Sequence, residues 1–244
     1  MTFRPQMWPT VMMLVGLVVL VSLGNWQLDR REWKLGLIAD INARTTQPAI
    51  DFAEALSLHQ AGDPVEYLPV TLDGEYQHDK EIALFRQSKE GKGGYHIFTP
   101  LLTQSGLAVW VDRGYVPPDQ KTAQTRAEGQ ITGSVTIEGL VRTDGTPGSF
   151  VPPNNPEKGE WFFRDHRAMA EAVDLQTVAP LFIDSAETNV PGGLPRGGQT
   201  RIALKNDHLG YALTWFGLAV VLVGVYLAHQ ISLGRLSFSA NKSK

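Results

Sequence analysis

Two stretches of this 244-residue chain carry no charge at all. Pro9–Gly24 reads PTVMMLVGLVVLVSLG, and Leu209–Leu227 reads LGYALTWFGLAVVLVGVYL. As a helix the second run rises about 28 Å, close to the roughly 30 Å hydrocarbon core of a bilayer. It is read as a transmembrane helix, because the core helix of a soluble domain rarely stays uncharged for so long. The first run is shorter. Adding Trp8 and Asn25-Trp26-Gln27-Leu28 gives a workable span with Trp at each interface, as aromatic belts require. Ser22-Leu23-Gly24 also resembles a small-x-small cleavage site, but a single Arg before it is weak for an export signal. A retained anchor is the preferred reading.

The formal charge of −3 and mean hydropathy of −0.13 average over unlike parts. Arg4 at one end and Arg235, Lys242 and Lys244 at the other are the only charges outside the region between the runs. Removing those four from 22 basic residues leaves 18, against all 25 acidic ones, so the middle segment stands at −7. Two spans put both termini on one side, and purely basic ends favour the cytoplasm. Arg30, Arg31 and Lys34 pull the other way, yet a long segment translocates largely regardless of its charge. The expected division is a cytoplasmic tip at 1–8, a span at 9–28, an extracytoplasmic domain at 29–208, a span at 209–227 and a basic cytoplasmic tail at 228–244. No Arg-rich, acid-poor presequence precedes the first run, which argues for a bacterial plasma (inner) membrane. A pI near 6.1 gives no support for nucleic-acid binding, and lipid is the first partner implied.

The middle segment reads mainly as strand. Tyr67–Tyr76, Glu81–Gln87, Tyr95–Thr103, Leu107–Arg113, Val135–Arg142 and Leu181–Asp184 are short and rich in β formers. Gln104-Ser-Gly106 reads as a hairpin turn. The first membrane helix is expected to continue through Leu28–Ala43, and Asp165 to cap a short helix over His166–Val173. Gly145–Asn155 and Pro191–Gly198 are crowded with Gly and Pro and read as loops. The fold class expected is two transmembrane α-helices flanking a mainly antiparallel β (α+β) extracytoplasmic domain.

Chemistry is mostly excluded. Zero Cys removes thiol nucleophiles, Fe–S clusters and Cys-type zinc sites. No Gly-x-Ser-x-Gly elbow or Walker-type loop occurs. The six His residues (59, 78, 96, 166, 208 and 229) show no metal-ligand spacing. Gly91-Lys-Gly-Gly94 precedes a strand and reads as a turn. Asp165-His166 is at most half of a triad, with no nucleophile to accompany it.

What remains is the start of the second helix. At 100° per residue His208, Tyr211, Ala212 and Trp215 share one face. Gly210, Gly217 and Gly224 recur every seven residues on another, and Gly16 and Gly24 on the first helix offer a counterpart for close packing. The glycine stripe is therefore expected at the helix–helix seam, leaving the His208 face free. A neutral imidazole at the membrane's outer edge, backed by aromatic rings, suits an axial haem ligand; on spacing alone the plainer reading is a hydrogen-bonding His within an aromatic belt.

Five segments together resemble the Surfeit locus protein 1 family of cytochrome c oxidase assembly factors. They are Leu23-Gly-Asn-Trp-Gln-Leu-Asp-Arg-Arg-Glu-Trp-Lys34; Gly94-Tyr-His-Ile-Phe-Thr-Pro-Leu101; Val111-Asp-Arg-Gly-Tyr-Val-Pro117; Pro153-Asn-Asn-Pro156 with Trp161; and Asn206-Asp-His208 with Tyr211-Ala-Leu-Thr-Trp-Phe216. The family's Asn-Arg-Gly-Trp stands here as Asp112-Arg113-Gly114-Tyr115, keeping polarity and aromaticity. The resemblance implies a bacterial member, not an enzyme, that assists maturation of the oxidase's haem-containing subunit I. It also implies haem a, transiently bound, with His208 as ligand to the haem iron and Tyr211 and Trp215 beside it. Trp26 and Arg30 fall near the same boundary, where Arg30 meets a haem propionate or serves with Trp26 as an interface anchor. The implied partners are oxidase subunit I and haem a synthase. The competing readings are a chaperone of subunit I that carries no haem, and a membrane-anchored hydrolase, which the missing nucleophile disfavours.

Overall fold

A computed structural model describes residues 2–237; the expected basic-tail residues Lys242 and Lys244 lie outside them. In chain order the elements are β1 (Thr2–Phe3), α1 (Met7–Thr45), β2 (Ile50–Asp51), α2 (Phe52–Ala61), β3 (Pro69–Tyr76), β4 (Ile82–Phe85), β5 (Tyr95–Leu102), β6 (Ala108–Val116), β7 (Ser134–Arg142), α3 (His166–Ala172), β8 (Val178–Ser185), α4 (His208–Ser232) and β9 (Leu236–Ser237). The chain divides into two compact units, one of residues 1–40 with 203–244 and one of 41–202.

The first unit is a helical hairpin built from α1 and α4. Both helices are long and apolar enough to cross a membrane, and in the most apolar window of each only 6% and 17% of residues are buried by protein. Val11, Leu14, Val15, Val18, Leu213, Val220 and Val221 are all exposed, a large apolar surface of the kind that a membrane or a partner covers. On α4 the covered residues are Ala212, Ala219, Tyr226 and Gln230, the first three a seven-residue repeat facing α1. Gly24 takes the Phe216 ring and Gly16 takes Leu222, so each small residue on α1 receives a large one from α4. Thr10 and Tyr226 share a hydroxyl hydrogen bond of 2.7 Å. Beyond it β1 pairs antiparallel with β9, joining the two ends. Here the expected seam is corrected. Gly210, Gly217 and Gly224 have open space where a side chain would stand, and the face with Ala212 is the packed one. The seam needs one small residue per contact, and α1 already supplies it; a second glycine opposite would leave a void.

The second unit is a barrel. β3 pairs with β7, β7 with β8, β8 with β6, β6 with β5, and β5 returns to β3 through Glu75–Leu102 and Tyr76–Leu101. Five strands therefore close in the circular order β3-β5-β6-β8-β7, a Greek-key barrel of the kind OB-folds use. β4 extends β5, and β2 extends β3. Most pairings are antiparallel, as expected, but β6–β8 and β2–β3 are parallel, so the sheet is mixed. Every residue of β6 is buried, because alternate side chains enter two different cores. Val109 and Val111 join Val70, Leu72, Leu101, Leu181 and Ile183 in the first core, which Phe52 and Ala55 of α2 complete. Trp110 points the other way, with Phe98, Phe182 and Met169 of α3. Asp165 caps α3, its Oδ1 accepting from the Ala168 amide at 3.0 Å.

Charge is buried where β7 and β8 end. Asp184 accepts from Arg164 at 2.9 Å, Arg142 at 3.0 Å and the Thr200 hydroxyl at 2.8 Å. Arg142 also donates to Glu66 at 2.7 Å, and Glu66 accepts from the amide and the hydroxyl of Thr143. Burial alone would raise the Glu66 carboxyl. The Arg142 charge and these hydrogen bonds outweigh it and hold the carboxyl below its ordinary value of 4.5. A second tether lies at Arg113-Gly114-Tyr115. Gly114 has φ of +118°, and a Cβ there would fall on the Arg196 carbonyl, whose oxygen accepts from the Tyr115 amide at 2.9 Å.

Three outcomes follow for the full chain in detergent. Gly24→Leu places carbon against a ring already 2.5 Å from the ideal Cβ, so hairpin stability should fall by about 1–3 kcal/mol; Gly217→Leu should change it by less than about 0.5 kcal/mol, both read by thermal melting of helix signal. Gly114→Ala should cost about 3 kcal/mol from left-handed strain and the carbonyl clash, visible as a lower urea midpoint of the barrel. Because the Glu66 carboxyl is depressed in the folded state, its contribution is complete above about pH 4.5 and is lost as pH falls through the folded value. Urea midpoints measured from pH 6 to pH 3 should therefore drop more steeply for the natural chain than for Glu66→Gln.

Candidate functional site

The strongest site candidate sits at the end of the hairpin where α4 begins. Successive residues of α1 turn by 100°, so Gln27, Arg31 and Lys34 form one half-buried row while Trp26, Arg30 and Trp33 form the next. Gln27 meets His208: the imidazole Nδ1 lies 2.7 Å from the amide Oε1. An amide oxygen only accepts, so Nδ1 carries a proton, and in the neutral ring the lone pair is then on Nε2. One turn along, Asn206 donates its Nδ2 to the Arg31 carbonyl at 3.3 Å and holds the segment ahead of His208 on α1. Its Oδ1 is buried without a partner among the described residues. On the neighbouring row the Arg30 guanidinium lies 4.2 Å above the Trp33 ring, with Trp33 at 56% and Trp26 at 52% exposure.

Of the residues expected at this site, His208 is half-buried in the seam, Trp215 is half-buried and Tyr211 is exposed. Tyr211 and Trp215 flank the packed Ala212, so His208 belongs to the helix-packing side and not to a free face. Arg30 pairs with Trp33 and not with Trp26. Gln27 is the residue that sequence reasoning missed. It stands inside the Leu-Gly-x-Trp-Gln segment, but which side of α1 faces α4 becomes visible only when both helices are in place.

Other imidazoles pair with carboxylates inside the barrel unit. His96 Nδ1 lies 2.8 Å from Asp112 Oδ2, with both residues buried, and Asp112 Oδ1 accepts from the Gly114 amide. Burial would raise the Asp112 carboxyl, but His96, Arg86 and Arg164 around it hold it below its ordinary value. His166 Nδ1 lies 2.6 Å from Asp144, so the partner of His166 is Asp144 and not the capping Asp165. Arg113 lies 4.7 Å over the Tyr76 ring and donates to the Gly129 carbonyl and to His78 Nδ1. His78 in turn donates from Nε2 to the Ile131 carbonyl at 2.7 Å. Burial, aided by Arg113 and Arg126, keeps His78 below its usual range, and burial pushes the Tyr76 hydroxyl up to about 12. This cluster, whose hydrogen bonds run to the Gly129 and Ile131 carbonyls, is a buttress for the 129–131 segment. Among the described residues no three His, Asp or Glu side chains gather to hold a metal ion. Gly91 has positive φ, and its amide donates to the Ser88 carbonyl, so Gly91-Lys-Gly-Gly94 is the expected turn.

Comparison with known proteins bears on the whole chain. The sequence model of the SURF1 family matches residues 14–220. Surfeit locus protein 1 of Homo sapiens is 38% identical over 220 residues, covering 83% of this chain and 71% of the human protein. Its counterpart in Takifugu rubripes is 36% identical over 86% of this chain and 92% of the fish protein. The SURF1-like protein of Caenorhabditis elegans is 35% identical over 90% of this chain and 74% of its own length. The matched stretch takes in α1 from Leu14, the entire barrel and the start of α4 with His208, and on that extent of likeness the chain belongs to the SURF1 family.

Proposed function

We propose that this chain is an assembly factor for cytochrome c oxidase that binds haem a through His208 and assists its insertion into subunit I. Family membership supports the oxidase. The Gln27–His208 hydrogen bond supports the haem, because a ligating imidazole characteristically donates its other ring N–H to a fixed partner. With Nδ1–H committed to Gln27, Nε2 is the nitrogen left to ligate. Arg30 would offer a cation to a propionate, and Trp26, Tyr211 and Trp215 would give apolar walls. No thiolate competes, since the chain has no Cys. Haem a supplies the redox-active iron that subunit I requires; this chain's residues bind it, orient it and release it, and carry out no turnover of their own.

In the same reading the two apolar helices cross a bacterial plasma membrane with both termini in the cytoplasm, and the barrel works outside as the surface that meets subunit I or haem a synthase. The test is spectroscopic. The full chain, purified from cells that make haem a, should carry a Soret band and a reduced α band, both strongly diminished by His208→Ala. A chain without haem, or a spectrum indifferent to that substitution, would overturn the carrier role and leave a chaperone of subunit I.

A further inference from the structure

Among the described residues three imidazoles have a side-chain partner at Nδ1 within 2.8 Å, and their partners differ in kind. His96 and His166 face carboxylates; His208 faces the neutral amide of Gln27. The difference matters for any group bound at the far nitrogen. A carboxylate partner draws the Nδ1 proton toward itself, makes the ring more basic and strengthens Nε2 as a donor. An amide oxygen fixes the same tautomer and ring orientation with far less charge donated. The 206–208 segment is held independently, through Asn206 and the Arg31 carbonyl, so loss of the Gln27 contact would free the ring more than the backbone.

We infer that Gln27 is the positioning residue of His208: it holds the imidazole as the Nδ1–H tautomer with Nε2 available, and its neutrality keeps Nε2 a moderate ligand that can let go of its iron. The second half rests on the haem role proposed for His208; the first half does not.

The experiment uses the full chain in nanodiscs with 15N-labelled histidine. In the haem-free protein at a pH where imidazole is neutral, His208 should show a single Nδ1–H pattern. Gln27→Leu should give a mixture of both tautomers, while Gln27→Glu, which keeps an acceptor, should restore the single pattern. Chains are then loaded with haem a, and transfer to excess apomyoglobin is timed. Gln27→Glu should release haem at least threefold more slowly, with a lower midpoint potential, and Gln27→Leu at least threefold faster. An unchanged tautomer in Gln27→Leu, or a mixed one in Gln27→Glu, overturns the inference whether or not haem binds. Equal release rates in all three overturn the moderating role. Tautomers that shift as expected in chains that never take up haem would instead overturn the carrier function and leave Gln27's hold on His208 standing.

Discussion

In the bilayer setting proposed for α1 and α4, helices gain nothing by hiding apolar side chains from water, so their association depends on close contact and on polar groups that hydrocarbon cannot satisfy. The α1–α4 hairpin uses both. Gly16 and Gly24 let Leu222 and Phe216 come close, and the two ends of the seam carry a hydrogen bond each, Thr10–Tyr226 and Gln27–His208. Whatever His208 does depends on this seam, because the imidazole's hydrogen-bond partner is Gln27 of α1. At the buried Gln230 neither polar side-chain atom has a partner among the described residues.

The barrel obeys the opposite economy. Its stability comes from burial, and β6 contributes to two cores at once. Strands covered on both faces must end somewhere, and at their ends backbone and side-chain polarity has to be met. Asp112, Asp184, Arg142 and Arg164 meet it as paired charges rather than as chemistry. Breaking one partner of such a group is costly even where the intact pair adds little.

Much of this was legible in the residues. Alternation placed six of the barrel-unit strands to within about three residues at most ends, and the Asp165 cap announced α3. Helix α2 is not among the expected elements, although Asp51 caps it and Gly62 ends it in the left-handed region, because Phe52–Ala61 is short and lies between the stronger signals of the first helix and the strand from Tyr67. Barrel closure was out of reach: the parallel β6–β8 pairing joins segments separated by some seventy residues, and no local pattern encodes it. The helix seam was misread for a related reason. A stripe of small residues shows where a helix permits approach, not whether a partner takes it up. His208 could be singled out by its setting, but Gln27 could not, since its meaning comes from the residue across from it.

The seam also measures distance. Thr10 and Gln27 on α1 are separated along the helix by about 26 Å, and His208 and Tyr226 on α4 by about 27 Å, so both hydrogen bonds close without bending either rod. One residue added to α1 between them would turn Gln27 by 100° and shift it by 1.5 Å, leaving every side chain of the site present and the site itself gone. In this hairpin the spacing of the sequence sets the Gln27–His208 contact as much as the identity of either residue does.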